Sequence, residues 1–294
     1  MAARPAAGWR QQALPVATVL LAVLLLWYGG AVGLNRAGAV ERVFNNGPYT
    51  LGQLVATTLN MERPVLPAPH QVLADLVSSL VDWPLDSPRN LLYHVAVTAQ
   101  STLIGFALGT LLGMVLAAAI VHSRTLDRAL LPWIVASQTV PVLAIAPIVL
   151  VILGSLGFSG VAPKATIAMY LCFFPVTVAM VQGLRAPQRI ETELLHTYAA
   201  SRWQAFWLLR LPSALPYLFP SLRVAIAAGV VGAMVAELPT GAQAGLGAKL
   251  LTGSYYGNTV GIWSALLMSA LLGLGLTLAV GGVERLALRQ RRPA

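Results

Sequence analysis

Six stretches of this chain, at about 14–34, 91–121, 131–153, 165–184, 217–238 and 260–283, are long and apolar enough to cross a bilayer as helices. A span needs roughly 20 mostly apolar residues, because lipid leaves every backbone polar group to be satisfied within its own helix. With 57% hydrophobic and 10% charged residues, the 294-residue chain lacks the polar surface to cover a water-soluble globule. The expected fold class is therefore all-α integral membrane, with about six transmembrane helices.

The net charge of +9 does not point to nucleic acid, since the basic residues are scattered singly and form no basic stripe interleaved with aromatics. It points instead to orientation. With both termini inside, Arg4, Arg10, Arg124, Arg128, Arg185, Arg189, Arg202, Arg210, Arg285, Arg289, Arg291 and Arg292 fall in cytoplasmic segments. Against these stand Arg36, Arg42, Arg63, Arg89, Lys164 and Lys249 outside, mostly in a long loop where the positive-inside rule is weakest. The organisation expected is a cytoplasmic tail (1–13), a first helix (14–34), an external Pro-rich segment (35–90), a five-helix core (91–284) and a basic cytoplasmic tail (285–294). Length favours a retained first helix; a removable signal peptide cut near Ala37–Val40 is the alternative. Within 35–90, His70 and QVLADLVSSLV predict a helix with Val72, Leu73, Leu76, Leu80 and Val81 near helical spacing. That helix is read as lying along the interface, with a surface helix receiving a partner as the other reading.

Few polar groups enter the spans. Ser137-Gln138-Thr139, followed by Pro141 and Pro147, frees backbone groups that are tolerated only against protein or a wet cavity. Gln138 and Thr139 are accordingly the candidates for lining a translocation path, together with Glu237, for which an interfacial acid is the competing reading. Arg223 is read as snorkelling to the near interface. Gly105, Gly109 and Gly113 recur every fourth residue, as do small residues that bring two helices together, and Pro175 and Gln182 fit the same packing role. Cys172, the one cysteine, reads as a small buried hydrophobe.

The most informative polar segment is 185–216. Pro187 precedes Ile190, Leu194, Leu195 and Tyr198 at near-helical spacing, beside Glu191 and Glu193, which predicts a short amphipathic helix. Ser201 with Gln204 has capping-box spacing and starts a second helix carrying Trp203, Phe206 and Trp207, which Pro212 should stop. Two short helices thus meet at Ala199-Ala200, with aromatic bulk on a face that belongs in water, a pattern that marks a partner. Arg202 and Arg210 are read as positive-inside residues.

These residues resemble the permeases of bacterial binding-protein-dependent ABC importers, marked by E-A-A, three residues, G, nine residues, I-x-L-P. Glu193 falls at the Glu, Leu194 and Leu195 at the alanines, Ala199 at the Gly, Leu209 at the Ile, and Leu211-Pro212 at the closing pair. The resemblance runs over about 91–285, and LPSALPYLFPSLRVAIAAGVVGAMVAEL with GLG at 245–247 is similar to the branch handling nitrate, taurine, sulfonates and vitamin precursors. ELLHTYAASRWQ and LPYLF lean toward its pyrimidine (thiamine-precursor) members. The resemblance implies a type I-like importer permease in the bacterial cytoplasmic membrane, whose loop docks a separate ATPase. Glu193, Leu194, Leu195, Tyr198, Ala199, Ser201, Trp203, Phe206, Leu209, Leu211 and Pro212 are the docking candidates. It also implies an external binding protein and a second permease copy, with a homodimer expected.

No GxxxxGK[ST] phosphate cradle occurs in the chain, so ATP is expected to be bound by the partner, with no cofactor of the chain's own. No HExxH, GxSxG or paired-carboxylate arrangement argues for catalysis or a metal. A secondary, ion-coupled transporter is the main rival. It would place carboxylates or histidines mid-span, whereas His70, His94, His122 and His196 fall in loops or near span ends.

Overall fold

The computed structural model describes residues 9–239 and 244–289, with side chains at 14–239 and 244–287. The tails expected at 1–13 and 285–294 therefore lie largely outside the described residues, as does Gly241. Every regular element among the described residues is helical, and the chain divides into two compact units, 1–84 with 250–265 and 85–249 with 266–294.

In the first unit, α1 (Trp9–Arg42) runs on past position 34, where the sequence places its end, and is followed by α2 (Leu51–Leu59) and α3 (Pro69–Val81). Asn35 lies in the first of the extra turns. Fully buried, its Nδ2 donates to the Thr58 and Leu66 carbonyls at 3.0 and 2.9 Å, while its Oδ1 accepts from Val65 and Leu66 N–H at 2.8 and 3.1 Å. All of this amide's main capacity is spent on loop backbone, so the Pro-rich segment is tied to α1. Trp27 Nε1 donates to the Pro67 carbonyl at 3.0 Å, and its ring lies 4.9 Å from that of Trp263. Thr50 and Gln53 form a capping box at the start of α2. The helix expected after His70 is α3, with Val72 and Leu76 buried and Leu73 and Val81 exposed; Ser264 Oγ donates to its Val72 carbonyl at 3.2 Å.

The second unit centres on α7 (Val161–Leu184), which packs on α4 (Leu91–His122) and on α10 (Leu211–Glu237). The glycine stripe of α4 is the contact on one side. A Cβ on Gly109 would sit 2.6 Å from Cys172 Cβ, one on Gly105 would sit 2.5 Å from Ala168 Cβ, and one on Gly113 would sit 2.9 Å from the Phe173 carbonyl oxygen. Gly229 and Gly232 of α10 meet Cys172 and Ala168 on the other side. Backbones approach this closely in lipid because small residues allow it, where van der Waals packing rather than water exclusion holds helices together. Cys172 is buried as read, its thiol donating to the Ala225 carbonyl at 3.1 Å.

Five helices are long and apolar enough to span: 14–42, 91–122, 161–184, 202–237 and 259–287, the last lying within α12 (Thr259–Arg289). The span expected at 131–153 is not one helix. It is α5 (Arg124–Ser137) and α6 (Val142–Ser155), bent by 103°. Pro141, N-cap of α6, has no N–H to continue the ladder. The freed carbonyls are taken up locally: Ser137 Oγ donates to Ile134 O at 2.7 Å, Thr139 Oγ1 to Ala136 O at 2.8 Å, and the Tyr170 hydroxyl to Ser137 O.

Candidate functional site

Segment 185–216 is a helix–turn–helix. Gln188 caps α8 (Arg189–Thr197), its N–H donating to Glu191 Oε2 at 2.7 Å, so Glu191 closes the helix start. Glu193 accepts from Arg189 Nε at 2.7 Å, an exposed i,i+4 pair contributing at most a few tenths of a kcal/mol.

At the far end of α8 Ala199 sits at φ +54°, the left-handed turn that glycine would normally make. Ala200 N–H reaches Leu195 O at 3.0 Å and Ala199 N–H reaches His196 O at 3.0 Å, the paired bonds of a Schellman motif. The tight turn is thus made despite the alanine, at a cost of about 1 kcal/mol. Ser201 then caps α9 (Arg202–Ala205): Gln204 N–H donates to its Oγ at 3.2 Å and Ser201 N–H to Gln204 Oε1 at 2.8 Å.

Pro212 does not stop this second helix. Phe206–Arg210 is a π-turn, marked by Leu211 N–H donating to Phe206 O, and the chain stays helical into α10. One extra residue in the ladder loosens the register ahead of a proline that would otherwise clash with the carbonyl four residues back.

The docking candidates separate by exposure. Glu193, Leu194, Tyr198, Ala199, Ser201 and Trp203 are exposed, Tyr198 at 77% and Trp203 at 64%, whereas Leu195, Leu209, Leu211 and Pro212 are half-buried. Phe206, only 8% exposed, faces inward, its ring 5.1 Å from that of His122 and part of the cluster with Phe173, Met180 and Ala214. Its ring packs α9 against α4 and leaves little of its own surface exposed. Exposed Ile190, Trp207 and Leu208 extend the apolar face; of these, Leu208 had no distinguishing signal in the sequence.

The candidate path residues do not converge. Gln138 and Thr139 are exposed at the α5–α6 break. Glu237 is fully buried, so it lines no open path; it is the centre of a polar cluster. Thr98 Oγ1 donates to its Oε1 at 2.9 Å and accepts Leu246 N–H at 2.9 Å, while Gly247 N–H donates to Oε2 at 2.7 Å. The carboxylate therefore caps α11 (Leu246–Tyr256), where orphan N–H groups and the helix dipole favour a negative group. Lys164 Nζ lies 3.9 Å from Oε1 and donates to Ala244 O at 3.2 Å. His94 Nδ1 accepts from Gly245 N–H at 3.1 Å, which leaves Nε2 as the protonated nitrogen donating to Pro88 O at 2.8 Å. Gly245, at φ +127°, has no room for a Cβ, which would land on the Glu237 carboxyl group.

Comparison with known proteins gives the family. Residues 109–292 match the family described as binding-protein-dependent transport system inner membrane component. A formylaminopyrimidine transport permease of Halalkalibacterium halodurans is 32% identical over 78% of this chain and 86% of its own length. A riboflavin transport system permease of Chloroflexus aurantiacus is 32% identical over 76% of this chain and 80% of its own, and an Escherichia coli taurine transport system permease is 25% identical over 78% and 81%. The chain belongs to the binding-protein-dependent transport system inner membrane component family. It is a multi-pass ABC importer permease of the sulfonate, taurine and pyrimidine branch, with a type I permease fold.

Proposed function

We propose that this permease is driven by a separate cytoplasmic ATPase that grips the helix–turn–helix of 185–216, and that it passes a solute handed over by an external binding protein. The observation that carries this reading is the exposed face of Ile190, Leu194, Tyr198 and Trp203. Capping at Gln188 and Ser201 and the turn at Ala199 hold that face in a fixed shape. A contiguous apolar patch on a polar segment is a partner's seat, and the joint at Phe206 ties it to α4 and runs on into α10. Closure of the ATPase pair would so be passed to two spans as a rigid-body push.

In this reading both termini are cytoplasmic, a second copy of the chain completes the path, and ATP is bound and hydrolysed by the partner. The solute is a small polar molecule. The relatives named for formylaminopyrimidine and riboflavin are more similar to this chain than the one named for taurine, which favours a nitrogen heterocycle over a sulfonate. Calorimetric titration of the binding protein encoded beside this chain with formylaminopyrimidine, riboflavin and taurine tests the assignment. Binding of taurine alone would reverse the preference. Reconstituted alone the chain should hydrolyse no ATP.

A further inference from the structure

Where α4 ends and the helix beginning at Arg202 starts, Val121, His122, Arg202, Ala205 and Arg210 line a cavity of about 230 Å³. Its three polar side chains are all basic. Among the described residues neither Arg202 nor Arg210 has an acidic partner, although Arg185, Arg189 and Arg223 each have one. His122 spends Nδ1 on the Ala118 carbonyl at 2.9 Å, leaving Nε2 as its remaining polar edge.

The π-turn is what brings the two arginines to one wall. Residues eight apart in an uninterrupted α-helix are about 80° out of alignment, at about 100° per residue. One residue taken up by the π-turn makes the separation act as seven, within about 20° of two full turns. The π-turn therefore puts Arg202 and Arg210 on one face of the helix, about two turns apart, where both line the cavity.

The geometry points to a binding site for a phosphate group in this cavity, held by Arg202 and Arg210. Paired forked donors suit a ligand with several acceptor oxygens, and a cavity of about 230 Å³ has room for one. The cavity also lies at the end of the apolar helix 91–122 and the start of 202–237, near exposed Trp207, where a membrane-spanning helix meets the headgroup region. The phosphate thus comes from a lipid headgroup or from solution. Occupancy would fasten α9 to α4 across the joint that carries the helix–turn–helix. This inference needs neither the ATPase nor the orientation proposed above.

The test uses the full chain purified in detergent, with two probes. Inorganic phosphate is titrated while tryptophan fluorescence is followed. Separately, the chain is placed in phosphatidylcholine bilayers with and without phosphatidylglycerol, and retained phosphatidylglycerol is counted by native mass spectrometry. The expected result is saturable binding of at least one probe that weakens with salt, falls roughly tenfold in Arg202→Gln and in Arg210→Gln, partly survives in Arg202→Lys, and is unchanged in Arg128→Gln outside the cavity. Retention of phosphatidylglycerol without a phosphate response identifies a lipid site; the converse identifies a soluble phosphate. Arg202→Lys and Arg210→Lys, which keep the charge but lose the fork, decide the matter if a glutamine variant does not fold: binding weakened in both supports the site, binding equal to the unaltered chain overturns it. Absence of saturable binding to both probes, or equal binding by both glutamine variants and the unaltered chain, would overturn the proposal. So would variants whose one defect is loss of a co-expressed ATPase, since the cavity would then take a protein carboxylate.

Discussion

Thr98 and Glu237, 139 residues apart in the chain, meet at 2.9 Å in the interior, and the same threonine oxygen receives Leu246 N–H. One hydroxyl thus joins α4, the end of α10 and the start of α11. Glu237→Ala leaves the Gly247 N–H, Thr98 and the Lys164 ammonium without their shared acceptor. It should destabilise the protein, at about 1–3 kcal/mol for each buried group left without a partner. Glu237→Gln, which keeps an acceptor oxygen, should cost less. Thermal unfolding in detergent orders the two; equal melting temperatures for Glu237→Ala and the unaltered chain would remove the cluster's structural role.

Asn35 presents an equivalent case in the first unit. Asn35→Ala orphans two carbonyls and two N–H groups of the 58–66 backbone. At about 1–3 kcal/mol for each buried group left without a partner, partly offset by water entry, the 58–66 segment should lose its order. Hydrogen exchange at Val65 and Leu66 measures this, and slow exchange retained there would contradict it.

Ala199→Gly removes the left-handed strain without touching a neighbour. Protection of the Ala200 amide should rise about fivefold, corresponding to about 1 kcal/mol, whereas Ala199→Val should lower it. Amide exchange at Ala199 and Ala200 reads both signs.

Gly109→Ile would drive a branched side chain into Cys172 and the Met169 carbonyl. Because α4 and α7 touch there through backbone, no rotamer relieves the clash, and folded protein should be lost. Gly273→Ile on α12, where nothing lies within 4 Å, should be tolerated. Recovery of monodisperse protein distinguishes the pair.

How far the sequence reaches can be seen residue by residue. The spans were legible because lipid demands long apolar runs, and the Gly105-Gly109-Gly113 stripe because its period matches a helix face. The helix–turn–helix was legible because capping and turn formation are local: Ser201, Gln204 and Ala199 act on neighbours within four residues. Pro141 was visible as a breaker, but the 103° bend depends on where the freed carbonyls find partners, and Tyr170 lies on another helix. Pro212 reads as a helix stop in the sequence because the π-turn upstream that absorbs it has no local signature, and the inward turn of Phe206 depends on His122 far away in the chain. Glu237 reads as a charge near a span end, and nothing local announces that Thr98 and Lys164 meet it.

If the exposed face of 185–216 seats an ATPase, as proposed, a charge placed on that face should release the partner without unfolding the permease. The most direct measurement is retention of the ATPase encoded beside this chain during purification of Trp203→Asp and Leu194→Asp, with folding checked by circular dichroism and size exclusion. The account predicts folded permease that has lost the ATPase. Folded variants that retain the ATPase and still transport would contradict it.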